Sequence, residues 1–159
     1  MATTRRRTEK KPTAKALALH EAALTHNWDD GVTALERIVA NRACDLGTAL
    51  AIYWMGAPGF DQQYVKLAEV PDWRRETFRF LRALEKRLLA RDFATARILF
   101  NPRFDRTTMT SKGHDWTAEY GDEQKRRPIP VELKEPSCVD PEWDARGRQP
   151  IANTARRLT

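Results

Sequence analysis

Aspartates are the residues whose type and placement first suggest chemistry. Asp29 and Asp30 are adjacent in Asn27-Trp28-Asp29-Asp30-Gly31, and Asp45 follows Cys44 further along. Converging carboxylates can hold a hard cation, or divide acid and base roles when their environments drive their proton affinities apart. This spacing specifies neither use. A calcium loop supplies several oxygens from alternating positions, and side-by-side carboxylates do not report two different environments. His20, His26 and His114 match no metalloprotease or nuclease spacing, and no nucleophile elbow, phosphate loop or dinucleotide fingerprint occurs. Cys44 and Cys138 lie far apart, outside any Cys-x-x-Cys or Cys/His ligand pattern, which argues against a zinc site or a disulfide framework. The expectation is a binding protein with no catalytic residues, no metal and no cofactor.

A second pattern is cationic. Arg75, Arg79, Arg82 and Lys86 recur at helical spacing, opposite a side carrying Trp73, Thr77, Phe80, Leu81, Leu84 and Leu88. Like charges one turn apart cost about 0.2–0.5 kcal/mol per pair. Such a row is a solvated face, or a contact for an acidic protein or for phosphates. The rest of the basic excess is concentrated at the start. Arg5, Arg6, Arg7, Lys10, Lys11 and Lys15 face only Glu9 within residues 1–15, whereas the remainder of the chain is nearly balanced. The net charge of +6 and the pI of 9.6 therefore describe a basic arm over residues 1–12 more than a basic body. That arm is a solvated end, or a nucleic-acid contact through Arg5, Arg6, Arg7, Lys10 and Lys11.

The elements that must position these residues read as helices. Thr13 to Asn27 is rich in Ala, Leu and Glu, with Leu17 and Leu24 at helical spacing. Trp28 to Gly31 breaks it, with an Asp available to cap a second helix whose inner face is Leu35, Ile38 and Val39. Asp45 caps a third, apolar helix that ends at Gly56 to Gly59. A short fourth helix runs from Phe60 to Val70 with Asp61 as its cap. After Pro71, Asp72 caps the longest helix, from Trp73 to Phe93, followed by a last helical piece, Ala94 to Phe100.

Beyond Pro102 the periodicity stops and prolines accumulate, so residues 102–159 read as an extended tail. Trp116, Tyr120 and Trp143 are aromatic anchors in it, able to fold it back or to meet a partner. The fold class is all-α: a small irregular helical bundle or helical-hairpin stack over residues 13–101, with an extended C-terminal tail. No window is apolar and long enough for a bilayer, and the first residues lack the apolar stretch of a secretory signal. A cytoplasmic location without membrane contact is expected.

From Leu19 to Leu50 the chain resembles a bacterial family of unknown function. Its members carry a helix ending near Asn-Trp-Asp-Asp-Gly, then a helix, then Cys-Asp-x-Gly-Thr-Ala-Leu. The matching residues are Asn27, Trp28, Asp29, Asp30 and Gly31, then Cys44, Asp45, Gly47, Thr48, Ala49 and Leu50. Some proteins that look like this are encoded beside polymorphic toxins. The resemblance thus implies an immunity-type inhibitor that binds a cognate toxin domain. The residues also fit a purely structural role, with Trp28 packed between helices, Asp as cap, and Gly47 and Ala49 permitting close helix approach. Candidate partner contacts are Trp28, Asp29, Asp30 and Asp45 as an acidic corner, the Arg75, Arg79, Arg82, Lys86 row, and the aromatics of the tail. The alternative is a nucleic-acid-associated accessory or assembly subunit that uses the arm and the cationic row.

Overall fold

The computed structural model describes residues 11–107, 112–118 and 125–138. These residues form an all-α structure: α1 (Ala14–Leu24), α2 (Thr33–Ala40), α3 (Leu46–Met55), α4 (Pro58–Asp61) and α5 (Asp72–Leu89), with short 3-10 turns between and after them. No helix among the described residues is long and apolar enough to cross a membrane.

α3 is the centre because it is apolar all round. Every residue from Leu46 to Trp54 is buried, and the helix packs against both α1 and α5. α1 meets it through small side chains. Ala16, His20 and Ala23 are its buried residues, while Leu17 is 40% exposed. The stripe is rotated from the Leu17/Leu24 face expected from sequence, because His20 supplies the inward position that a leucine was expected to fill. α2 turns Leu35, Ile38 and Val39 inward. α5 buries Phe78, Phe80, Leu81, Leu84, Glu85 and Leu88.

Asp45 holds the next layer. Its side chain accepts from the Gly47 amide at 2.9 Å, capping α3. The same carboxylate accepts from the Thr95 hydroxyl at 2.7 Å, the Arg97 amide at 2.7 Å and the Ile98 amide at 3.1 Å. Residues 94–100 are therefore irregular, not the final helix expected from Ala94-Thr95-Ala96-Arg97. Their amides are drawn to a buried charge instead of to carbonyls one turn back. The expected fourth helix is also shorter. α4 starts on Pro58 and stops at Asp61, which pairs with Arg74 at 2.9 Å and caps nothing. Pro71, not Asp72, holds the N-cap position of α5, and Asp72 instead pairs with Arg75 at 2.8 Å.

The described part of the segment read as a tail belongs to the core. Phe100, Trp116, Ile129 and Leu133 join one hydrophobic cluster with α2, α3 and α5. The Trp116 indole donates to Asp105 at 2.9 Å, and the Trp54 indole donates to the Leu133 carbonyl at 2.8 Å. Ser137 bridges the Phe100 amide and the Ile98 carbonyl, each at 2.7 Å. The helical domain expected over residues 13–101 thus receives core contacts from the segment beyond it, as far as Ser137. Prolines and missing periodicity hid this because such segments are fixed by side-chain hydrogen bonds and single apolar anchors, which carry no repeat.

Gly47 is where α3 and the clamped segment touch. A Cβ there would lie 1.9 Å from the Ile98 carbonyl oxygen, a backbone atom that cannot rotate away. Replacing Gly47 by Ala gains about 1 kcal/mol of helix propensity and loses about 3 kcal/mol to overpacking. Gly47→Ala is expected to lower stability by about 2 kcal/mol, measured by urea denaturation; unchanged or raised stability would contradict this contact.

Candidate functional site

The acidic corner opens with Asn27, whose side chain accepts from the Asp29 amide at 3.1 Å and starts the 3-10 turn Trp28–Asp30. Gly31 completes the turn at φ +82°, a conformation only glycine adopts freely. Its carbonyl accepts from Nε2 of His26 at 2.8 Å. Trp28 packs partly buried on the core, with its indole N–H enclosed and no acceptor among the described residues. Asp29 and Asp30 are exposed, and the Glu76 carboxylate of α5 lies beside Gly31. Asp45 is fully buried and shares no surface with them. It is removed from the partner-contact candidates because its oxygens are filled by the α3 cap and the 95–98 segment. No group of three or more His, Cys, Asp or Glu that could hold a metal ion occurs among the described residues.

The cationic row is divided. Arg75 donates to the Val70 carbonyl at 3.0 Å besides pairing with Asp72. Arg82 donates to the Tyr64 carbonyl at 3.2 Å and lies over the Phe78 ring. Arg79 and Lys86 stay exposed, so the row does not present four outward cations. Of the aromatic anchors, Trp116 is buried. Tyr120 and Trp143 lie outside the described residues, as do Arg5, Arg6, Arg7 and Lys10 of the arm; Lys11 is described and exposed.

Two places were not foreseen. The first is a shallow, half-open cleft with about 10 Å³ of free space, room for roughly one water, lined by Tyr53, Asp61, Gln62, Arg82, Glu85 and Arg127, among others. Burial raises the pKa of both Asp61 and Glu85, with Arg74 and Tyr53 respectively pulling the other way. Two such carboxylates in one cleft are the pattern that acid–base chemistry uses. Here each oxygen already accepts: Asp61 takes Arg74 at 2.9 and 3.1 Å, and Glu85 takes Tyr53 at 2.9 Å and Arg127 at 2.8 Å. The pairs tie α4 to α5, and α3 to α5 and residue 127.

The second is an aromatic patch at the α4–α5 corner. Trp73 is 73% exposed and its ring centroid lies 5.7 Å from that of Phe60, which lies 5.9 Å from that of Tyr64. The guanidinium of Arg74 covers Phe60 at 5.4 Å, and Val65 beside Tyr64 is 47% exposed. The sequence reading placed Trp73 inward. The expected inner residues Leu88, Leu84, Leu81 and Phe80 are buried, but towards its start the inner face of α5 runs to Phe78 and then Arg74, which goes inward because Asp61 receives it. A Trp directly before an Arg, in the first turn of a helix, was the only available signal.

Residues 14–89 match the model of a family described as a domain of unknown function, DUF4274. The matched stretch contains the WDDG turn, the Cys44 to Leu50 motif and all five α-helices, and it ends before the segment that Asp45 clamps. Neither the curated proteins nor the solved structures contain a match to the chain. Inside the DUF4274 stretch the motif residues face inward. Cys44 is buried and its thiol is pushed up to about 12, chiefly by burial and next by Asp45, which keeps it protonated and unreactive.

His20, also within that stretch, is buried with Nδ1 2.8 Å from the Thr48 hydroxyl. Burial holds its pKa below 6.5, against the opposing charges of Asp45 and Asp105. The unfolded chain therefore takes up a proton near pH 6.5 that the folded protein refuses. This contribution to stability is complete above that pH and is lost as pH falls from it towards the lowered value. Between about pH 7.5 and about pH 5.5, His20→Gln should lose less of its urea midpoint than the wild type. Equal losses would contradict the assignment.

Proposed function

We propose that this chain is a non-catalytic protein-binding module, acting in bacteria as an immunity-type inhibitor of a cognate toxin domain, and that the Phe60, Tyr64, Trp73 corner is its principal contact. The observation that supports this reading is the exposure of Trp73. A monomer gains nothing from leaving a large indole in water, whereas Trp, Tyr and Arg dominate the energetics of protein interfaces. The Phe60 ring packs against the indole and is itself held by Tyr64 and Arg74, so less side-chain entropy is lost when a partner covers it. Arg79, Lys66 and the Arg126–Glu69 pair at 3.1 Å would provide a polar rim. The toxin-inhibitor part of the proposal draws on the resemblance of the Leu19 to Leu50 motif.

A complex anchored on an aromatic patch tolerates salt, while one built on phosphate contacts weakens steeply as salt rises. The proposal requires a toxin gene adjacent to this one; co-expression of this chain with that toxin domain is expected to restore growth, and the two proteins to co-purify in high salt. Trp73→Ala should weaken the complex by about 2 kcal/mol or more and abolish protection, with the unfolding midpoint unchanged. Lack of protection by the wild type, or a complex that dissolves in moderate salt, would remove this reading.

A further inference from the structure

The Trp73 corner has two ends of opposite charge. Phe60 is its middle ring, with the centroid of Trp73 at 5.7 Å and that of Tyr64 at 5.9 Å. Trp73 and Arg82 stand nine residues apart on α5, so at 3.6 residues per turn they point to opposite sides of it. Arg82 donates to the Tyr64 carbonyl, which puts the loop carrying Tyr64, Val65 and Lys66 on the side away from Trp73. Glu76 is one turn on from Trp73 and shares its side of the helix. The corner therefore runs from Glu76 through Trp73, Phe60 and Tyr64 to Val65 and Lys66.

Lys66 and Glu76 are both exposed, and neither has an ion-pair partner among the described residues. The charges next to them are committed, since Arg126 holds Glu69 at 3.1 Å and Arg75 holds Asp72 at 2.8 Å. Between the two free charges, the indole of Trp73 and the side chain of Val65 form the ends of an apolar strip that no described residue covers. This pattern selects the occupant. A partner of one sign would set a like charge against one end of the strip. A second copy, turned by a two-fold axis through Phe60, lays its acidic end on the basic end of the first and its basic end on the acidic one, so that both ends are matched.

We infer that two copies of this chain pair through this corner as a two-fold homodimer, with Trp73 of each copy against Tyr64 and Val65 of the other and Lys66 opposite Glu76. The strip is small, so the dimer is a weak one that forms as concentration rises. The inference rests on the reading of the corner as a contact surface and adds its regulation. The free chain keeps the corner covered, and any other partner must displace the second copy, which lowers that partner's apparent affinity by the fraction of chain left monomeric.

Light scattering of the full chain alone provides the test. The average mass should rise with concentration from 18.3 kDa towards twice that value, and Trp73→Ala should hold it at 18.3 kDa. Lys66→Glu and Glu76→Lys should each weaken pairing about tenfold or more, because each sets like charges against one another at both ends of the homodimer. They change the net charge in opposite directions, so a general charge effect cannot weaken both. Mixed in equal amounts, the two variants should recover the wild-type dimer, since both ends of the heterodimer again set a cation against a carboxylate; recovery also shows that each variant keeps this surface folded. A wild type that stays at 18.3 kDa, a dimer that survives Trp73→Ala, single charge variants that pair as the wild type does, or a mixture that stays monomeric would overturn the inference. No toxin enters the measurement. A monomeric wild type would leave the inhibitor proposal standing, and a dimer that fails to protect cells would remove the inhibitor proposal alone.

Discussion

The carboxylate of Asp45 is fully buried and accepts from the Gly47, Arg97 and Ile98 amides and the Thr95 hydroxyl. An ionised carboxylate stripped of water costs several kcal/mol, and it is tolerated in a core only when its lone pairs are filled. Hydrogen bonds to a charged acceptor contribute about 1.5–3 kcal/mol each, so four of them offset that cost. The consequence is geometric. Residues 95–98 must lie across the start of α3, and Gly47 must have no side chain for them to do so. Ser137 then bonds to Ile98 and Phe100, which fixes the far end of the segment whose Leu133 carbonyl accepts from Trp54. Among the described residues, 95–100 and 137 are thus tied to α3 through one carboxylate.

This organisation explains which parts of the protein were legible in its sequence. Asp45 as the cap of α3 could be read, because capping is local and its donor lies two residues away. Its other donors could not, because any backbone amide will serve and nothing in Thr95-Ala96-Arg97-Ile98 marks them. The same segment read as a helix for that reason. On α5 the expected inner residues Phe80, Leu81, Leu84 and Leu88 are buried, and only the first turn differs, where Arg74 and not Trp73 goes inward to Asp61. The buried His20 was missed on α1 in the same way. In each case a polar residue goes inward because a distant partner satisfies it, and periodicity alone cannot identify such partners.

The candidate site follows from this division. Cys44, Asp45, Gly47 and Thr48 are the most recognisable residues of the chain, and all four are buried in structural roles. Similarity carried by that motif therefore tracks the fold. The residue proposed for binding, the exposed Trp73 with Phe60 beside it, carries no motif. The acidic corner stands apart, with Asp29 and Asp30 outward and Trp28 committed to packing.

The central claim is that Asp45 holds residues 95–98 against α3, and amide hydrogen exchange in Asp45→Asn tests it most directly. Asparagine keeps the size of the side chain but gives up the charge and half of the acceptor capacity. The account predicts that the Arg97 and Ile98 amides lose their protection, and Phe100 with them, while those of α2 stay slow. Arg97 and Ile98 amides that exchange as slowly as in the wild type would contradict it.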